Sequence, residues 1–509
     1  MMTAWGWQIS PFSWLTTTAL TLLTYAALRI IFNLFLHPLS NIPGPVTWKV
    51  SRLPFIWGLL RGTLVHDIER LHRKYGPILR ISPNDVTFAH EDATRDILAF
   101  RKDRQPFLKD PTWWKANPGM PDSMISIIEP KQHARIRNLL APGFTQRALK
   151  EQEDILHFYV NLLVERIREL VTKEPETGAV IDVVRWFNFT TFDIFGDLGY
   201  GESFNCLQDS KYHPWVALLF NSVKAVSFVA AARLYPVVER ILFMCIPPSL
   251  REMQRNHCQL ISDKVNRRMN FELERPDIMS HVIQGAERQR LPQTTVDTTF
   301  MVLTIAGSET TATALSGTLN YLVNNTDKLD ILKREIRQAF PEENDINLDA
   351  LRKLPYLNAV INEGLRLCPP VPWIIPRKVP EGGGTVCGTW LPARTSVSIQ
   401  AYTLNRDPEH FHLATSFIPE RWLPDARTDT ESPFFHDRLQ AVQPFSEGPV
   451  SCMGQHLALA EIRLIFSKLL WSFDFEVLED RKKKWEDMRT FLIVEKKPIE
   501  MRAKLRATA

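Results

Sequence analysis

The run PFSWLTTTALTLLTYAALRIIFNLFLHPL, Pro11 to Leu39, carries a single charged residue, Arg29. A helix needs about 20 mostly apolar residues to cross the hydrocarbon of a bilayer. This run suffices, and it divides the chain into an anchor and a body. Arg29 lies toward the far end, where a long side chain can snorkel to the interface. A cleaved signal peptide is the other reading. It fits less well, since no basic segment precedes the run and no small-x-small cleavage site follows it. Lys and Arg are absent before the run, whereas Lys49, Arg52 and Arg61 follow it, so the positive-inside rule keeps the body cytosolic. HPLSNIPGP, His37 to Pro45, reads as a stiff elbow because its prolines stop a helix and fix backbone angles. The expected organisation is an anchor over 1–36, a proline-rich linker over 37–50 and one large domain over 51–509.

The body reads as mainly α with small β-sheets. Apolar residues recur at helical spacing through QEDILHFYVNLLVERIREL and DTTFMVLTIAGSETTATALSGTLNYLV. The second is apolar nearly all round and is expected at the centre of the fold. Strand-like runs are short: GPILRIS, DVTFA and TSVSI. A chain of 509 residues, 45% of them hydrophobic, can bury a substantial core. Its net charge of +4 comes from nearly balanced acids and bases, which argues against a dedicated nucleic-acid binder with its concentrated basic stripe. The six cysteines fall singly, so neither a zinc ribbon nor a disulfide scaffold is expected.

One of those cysteines has a distinctive setting, FSEGPVSCMG, Phe445 to Gly454. Gly448 and Gly454 let the backbone approach a flat partner and adopt positive φ. Cys452 opens the long apolar helix MGQHLALAEIRLIFSKLLWSF, whose N-terminal dipole and free amides favour a thiolate. Phe445 can shield the sulfur. Taken alone, a buried structural cysteine explains such a residue as well.

The order F-x-x-G-x-x-x-C-x-G resembles the heme-binding signature of the cytochrome P450 superfamily, the heme-thiolate monooxygenases. INEGLR, FIPERW and AGSETT resemble three further landmarks of that family. The resemblance implies the cytochrome P450 fold behind one N-terminal transmembrane helix in the endoplasmic reticulum membrane. It makes Cys452 the axial ligand of heme b, with Phe445, Gly448 and Gly454 around it. Ala306 and Gly307 become small residues that let the central helix lie against the macrocycle. Glu309 and Thr310 become an acid–alcohol pair that organises water for proton delivery. His133 and Arg137, one helical turn apart, and Arg377 become partners of the heme propionates. Glu363, Arg366 and Arg421 become a structural ion cluster. Val450 departs from the family, which usually has a base there; another base or water is expected to fill the gap.

The implied reaction is oxidation of a lipophilic small molecule, of the kind tailored by fungal microsomal members. It uses O2 and NADPH-derived electrons from a separate reductase, with cytochrome b5 as an alternative donor. The segments Phe107–Ile128 and Ala225–Pro248, with Trp113, Trp114, Phe228 and Phe243, are candidates for pocket walls or a membrane-facing entrance. EGGGT lacks the strand–loop–helix setting of a dinucleotide site, so no flavin or NADPH domain is expected in this chain. A reductase-independent heme-thiolate isomerase or dehydratase, and a non-catalytic heme protein, are the competing readings.

Overall fold

The computed structural model describes residues 11–100, 105–271, 275–289 and 291–506. The first ten residues of the expected anchor and the last three of the expected domain lie outside them. An α-helix over Pro11–Ile31 runs into a π-helical turn over Phe32–Leu36. From Trp14 to Leu36 this segment is long and apolar enough to span a bilayer, and nearly all of it is exposed. Its end is stitched to the body. Arg80, fully buried, donates from Nη1 to Asn33 O (2.8 Å) and Leu39 O (3.3 Å), and from Nη2 to Pro83 O (2.9 Å). Leu39 and Ile42 enter the core, so the elbow is packed rather than free.

The body is mainly helical. At its centre lies the expected long helix, Gln293–Val323. A buried helix rich in Thr and Ser must satisfy its hydroxyls internally. Thr304, Thr310, Thr311, Thr313 and Ser316 each do so by donating to the carbonyl four residues earlier. Along one side runs the helix Val183–Tyr200, whose Tyr200 hydroxyl bonds Thr304 Oγ1 at 2.6 Å. Ser308 Oγ reaches across to Thr191 O at 3.1 Å. The helix Gln455–Ser472, which follows the cysteine loop, packs into the same core.

The expected strands occur at Ile78–Ser82, Asp85–Phe88 and Ser396–Ile399. They join two that sequence reading passed over, Ile374–Lys378 and Leu108–Lys109, which complete the far edge of a five-stranded sheet. Asp85–Phe88 pairs in parallel with Ser396–Ile399, and the other neighbours are antiparallel. A second sheet orders Ala179–Asp182, Glu500–Leu505 and Phe473–Val477.

Candidate functional site

The cysteine loop is built by backbone geometry. Cys452 N–H donates to Phe445 O at 2.8 Å, closing the loop on itself. Gly448 turns it with φ +68°, and a Cβ there would sit 2.7 Å from Leu98 O, so no side chain fits. The following helix begins at Gln455, capped by Gly454, three residues after the cysteine that was expected to open it. The Cys452 side chain is solvent-accessible. Dense surrounding protein nevertheless raises its thiol pKa, opposed by the Gly454 N–H and by Arg137. A Cβ on Gly454 would meet only Cys452 Sγ, at 3.9 Å, so space on that side is open.

On the central helix Ala306 and Thr310 are half-buried, with Thr310 Oγ1 bonded to Ala306 O at 2.7 Å. Gly307 is also hemmed in by a neighbouring helix. A Cβ there would lie 2.9 Å from the Phe195 ring, so its smallness lets the helix Val183–Tyr200 approach. The acid and the alcohol also part company. Glu309 is buried, and its Oε1 forms an ion pair with Lys496 Nζ, which also donates to Thr313 Oγ1 at 2.9 Å. Glu309 Oε2 has no hydrogen-bond partner among the described residues. Burial raises the Glu309 pKa and lowers that of Lys496, each opposed by the other's charge. Adjacent residues on a helix point about 100° apart, which is why Glu309 and Thr310 face different neighbours.

Four bases converge beside the cysteine loop. Arg137 donates from Nη1 to Ser451 O (2.7 Å) and from Nη2 to Ser451 Oγ (3.1 Å). His133, one turn earlier, is pushed down to about 4 by burial and by the charges of Lys109, Arg137 and Arg377. Arg377 makes one long bond to Phe107 O (3.4 Å), and its Nε has no partner among the described residues. Lys109, which sequence reading missed, is buried and pulled down to about 7 by burial and by Arg377. Among the described residues none of the four pairs with a carboxylate. Lys109 is buried and the other three are half-buried, and a cluster of bases so withdrawn from water without counter-charge is costly. It fits an anion with more than one negative oxygen.

Glu363, Arg366 and Arg421 are fully buried and meet as expected. Arg366 grips Glu363 in bidentate fashion, at 2.8 Å from Nε and 2.6 Å from Nη2. Arg421 Nε bonds Glu363 Oε1 at 3.2 Å, and its Nη1 pairs with Asp437, a fourth member that carried no local sequence signal. Burial by itself would raise the Glu363 pKa. Arg366, Arg421 and the Ile418 N–H hold it below its ordinary value.

The candidate pocket walls divide. Trp113 is buried against Phe55 and Trp373 and belongs to a core. Trp114 lies under two cations, with Lys109 Nζ at 5.2 Å and Arg377 Cζ at 5.9 Å from its ring centre. Phe228 is exposed on the helix Pro214–Arg233, and Phe243 is half-buried.

A solvent-accessible thiol, a helix with small residues and an uncompensated base cluster linked to the thiol loop through Arg137 together suit a flat dianionic cofactor with a metal centre. Comparison with known proteins bears on the same question. The cytochrome P450 family model matches residues 43–503. A cytochrome P450 monooxygenase of Aspergillus oryzae, astJ, is 39% identical over 92% of this chain and 93% of its own. Another from Purpureocillium lilacinum, lcsI, is 39% identical over 96% of this chain and 93% of its own. The trichothecene C-15 hydroxylase of Fusarium sporotrichioides is 37% identical over 97% of this chain and 98% of its own.

Proposed function

Since the chain belongs to the cytochrome P450 family, we propose that it is a membrane-anchored monooxygenase that oxidises a lipophilic small molecule of fungal secondary metabolism, hydroxylation being the simplest reaction. The relatives, among them a trichothecene hydroxylase, support that substrate class. The family's cofactor is heme b, whose thiolate-ligated iron supplies the activation of O2. NADPH-derived electrons arrive from a separate reductase, with cytochrome b5 as a second donor. The single-pass anchor is assigned to the endoplasmic reticulum over 1–36, followed by the elbow over 37–50 and the catalytic domain over 51–509 on the cytosolic side. Lys49, Arg52 and Arg61 on that side of the anchor support the orientation.

The observation that carries this reading is the Cys452 loop beside an unpaired cluster of bases. Cys452 would hold the iron. His133, Arg137 and Arg377 would hold the two carboxylates of the heme, and Phe445, Gly448 and Gly454 would shape the proximal cradle. Ala306 and Gly307 would leave the central helix slender on the opposite side. Thr310, half-buried and bonded back to Ala306 O, would orient water in the pocket. Glu309 would move protons at its Oε2, which has no partner among the described residues, while Lys496 Nζ holds Oε1. Glu363, Arg366 and Arg421 would maintain the fold beneath the cofactor.

The test is the full chain in membranes with a reductase, NADPH and a panel of terpenoids, alkaloids and polyketides. Substrate-dependent NADPH use with oxygen from O2 in the product is expected. The reduced protein should give a thiolate-type carbon monoxide band that Cys452→Ala abolishes. Turnover without NADPH would instead identify an isomerase or dehydratase, and loss of neither band nor colour in Cys452→Ala would overturn the assignment.

A further inference from the structure

Val450 leaves the cysteine loop without the positive charge that the position could carry. Its side chain packs against the apolar cluster that contains Ile97, Leu98 and Ile399. The opposite deviation occurs at Lys109. In the antiparallel pairing of Leu108–Lys109 with Ile374–Lys378, Lys109 stands directly opposite Arg377. Like charges in that relationship repel. Strand alternation sends Asp110 and Lys378 to the other face, where they pair at 3.1 Å, with Ser396 beside them. The neighbouring carboxylate is therefore committed elsewhere. Lys109 Nζ donates to Ile125 O (2.7 Å) and Met124 O (3.2 Å), which leaves one of its three N–H donors without a described partner. Both Lys109 and Arg377 bear on His133, on the helix whose Arg137 binds the cysteine loop. A buried lysine forced opposite a half-buried arginine needs an anion between or beside them.

We propose that Lys109 is a heme-carboxylate contact that supplies the positive charge position 450 lacks. The proposal rests on the heme-thiolate reading above. A native protein without a thiolate-type carbon monoxide band would sink that reading, whereas the experiment below concerns only the fate of heme in proteins that show the band. Lys109→Met keeps the stem over Trp114 and removes the charge. Heme transfer from the purified full chain to excess apomyoglobin, followed by absorbance, should be about tenfold faster in Lys109→Met, the size of one lost charge-assisted bond. The iron potential should shift to more negative values, because a cation near the macrocycle favours the electron-rich state. Adding Val450→Arg to Lys109→Met should restore slow transfer. Unchanged transfer in Lys109→Met overturns the proposal. So does faster transfer that Val450→Arg does not correct, since Lys109 would then act only by clamping the carbonyls of Met124 and Ile125. If Lys109→Met does not fold, Val450→Arg alone decides. It should slow heme transfer less than twofold, because the charge is already present, and a tenfold slowing would show that the native site lacks it.

Discussion

Lys496, in the C-terminal segment, pairs its buried ammonium with the carboxylate of Glu309 on the central helix, and the same Nζ reaches Thr313 Oγ1 at 2.9 Å. Both side chains are withdrawn from water, so neither charge is tolerated without the other. The acid of the AGSETT segment is thus held by a residue far away in the sequence. Any proton that passes through Glu309 must do so against the Lys496 charge.

Removing both members should therefore harm the protein less than the two single losses added together. Lys496→Met and Glu309→Gln are each expected to lower the melting temperature of the heme-bound protein. The double variant should lose less than the sum, with a coupling of about 1–3 kcal/mol. Thermal unfolding of the four proteins measures it, and additive losses would show that the pair contributes nothing. Lys496→Met should also displace the pH profile of turnover, while Lys496→Arg should restore it.

Arg366→Ala strips the buried Glu363 of its bidentate partner and leaves it Arg421, a guanidinium shared with Asp437, at a cost of about 3–5 kcal/mol. Little folded, heme-loaded protein is expected from that variant. Asp437→Asn should resemble it in kind, because Asp437 neutralises the second guanidinium of the cluster, Arg421. Heme absorbance per mole of purified protein is the measurement. Recovery of either variant with full heme content would remove the structural role.

His133 gives a pH dependence whose sign is fixed. Its folded pKa is lowered to about 4 from the model-peptide value of 6.5. Between those values the unfolded chain binds more protons than the folded one, so stability is full above pH 6.5 and falls as pH drops toward 4. The melting temperature of the heme-free protein should decline over that window, and His133→Gln should flatten part of the decline. Heme should flatten it as well, because the carboxylates favour the imidazolium. An identical slope with and without heme would separate His133 from the propionates.

The anchor cannot be trimmed at an arbitrary point. Arg80 uses Asn33 O and Leu39 O as acceptors, and Asn33 itself donates to Val50 O at 3.2 Å. Deletion through Ile31 should give a body as stable as the full chain. Deletion through Leu39 strips both acceptors from a buried guanidinium and should lower the melting temperature by several degrees. Calorimetry of the two truncations compares them, and equal stability would show that water replaces the carbonyls without loss.

Much of this site could be read along the chain. The cysteine loop, the threonine-rich helix and the Glu363–Arg366 pair each occupy a few adjacent residues, and local spacing fixes which way they face. Two strands of the five-stranded sheet escaped notice for a physical reason. Leu108–Lys109 is too short to show alternation, and Pro376 lies within a register shift in Ile374–Lys378. With those strands went the recognition that Lys109 and Arg377 are neighbours. Gly307 was assigned to cofactor clearance, but a glycine in a helix reveals only that something comes close, not from which side. Here Phe195 is one such neighbour.

The amino-acid order determined the division into anchor and helical body, the thiolate loop and the succession of motifs around it, because helix periodicity, turn geometry and loop chemistry act over short distances. Tertiary packing alone decided the partners of the buried charges, Lys496 for Glu309 and Asp437 for Arg421, and it alone set Lys109 opposite Arg377, where the two cations repel and call for an anion from outside the chain. A charge taken out of water must be neutralised by whatever the crossing of distant segments brings within reach, and no short stretch of chain encodes that crossing.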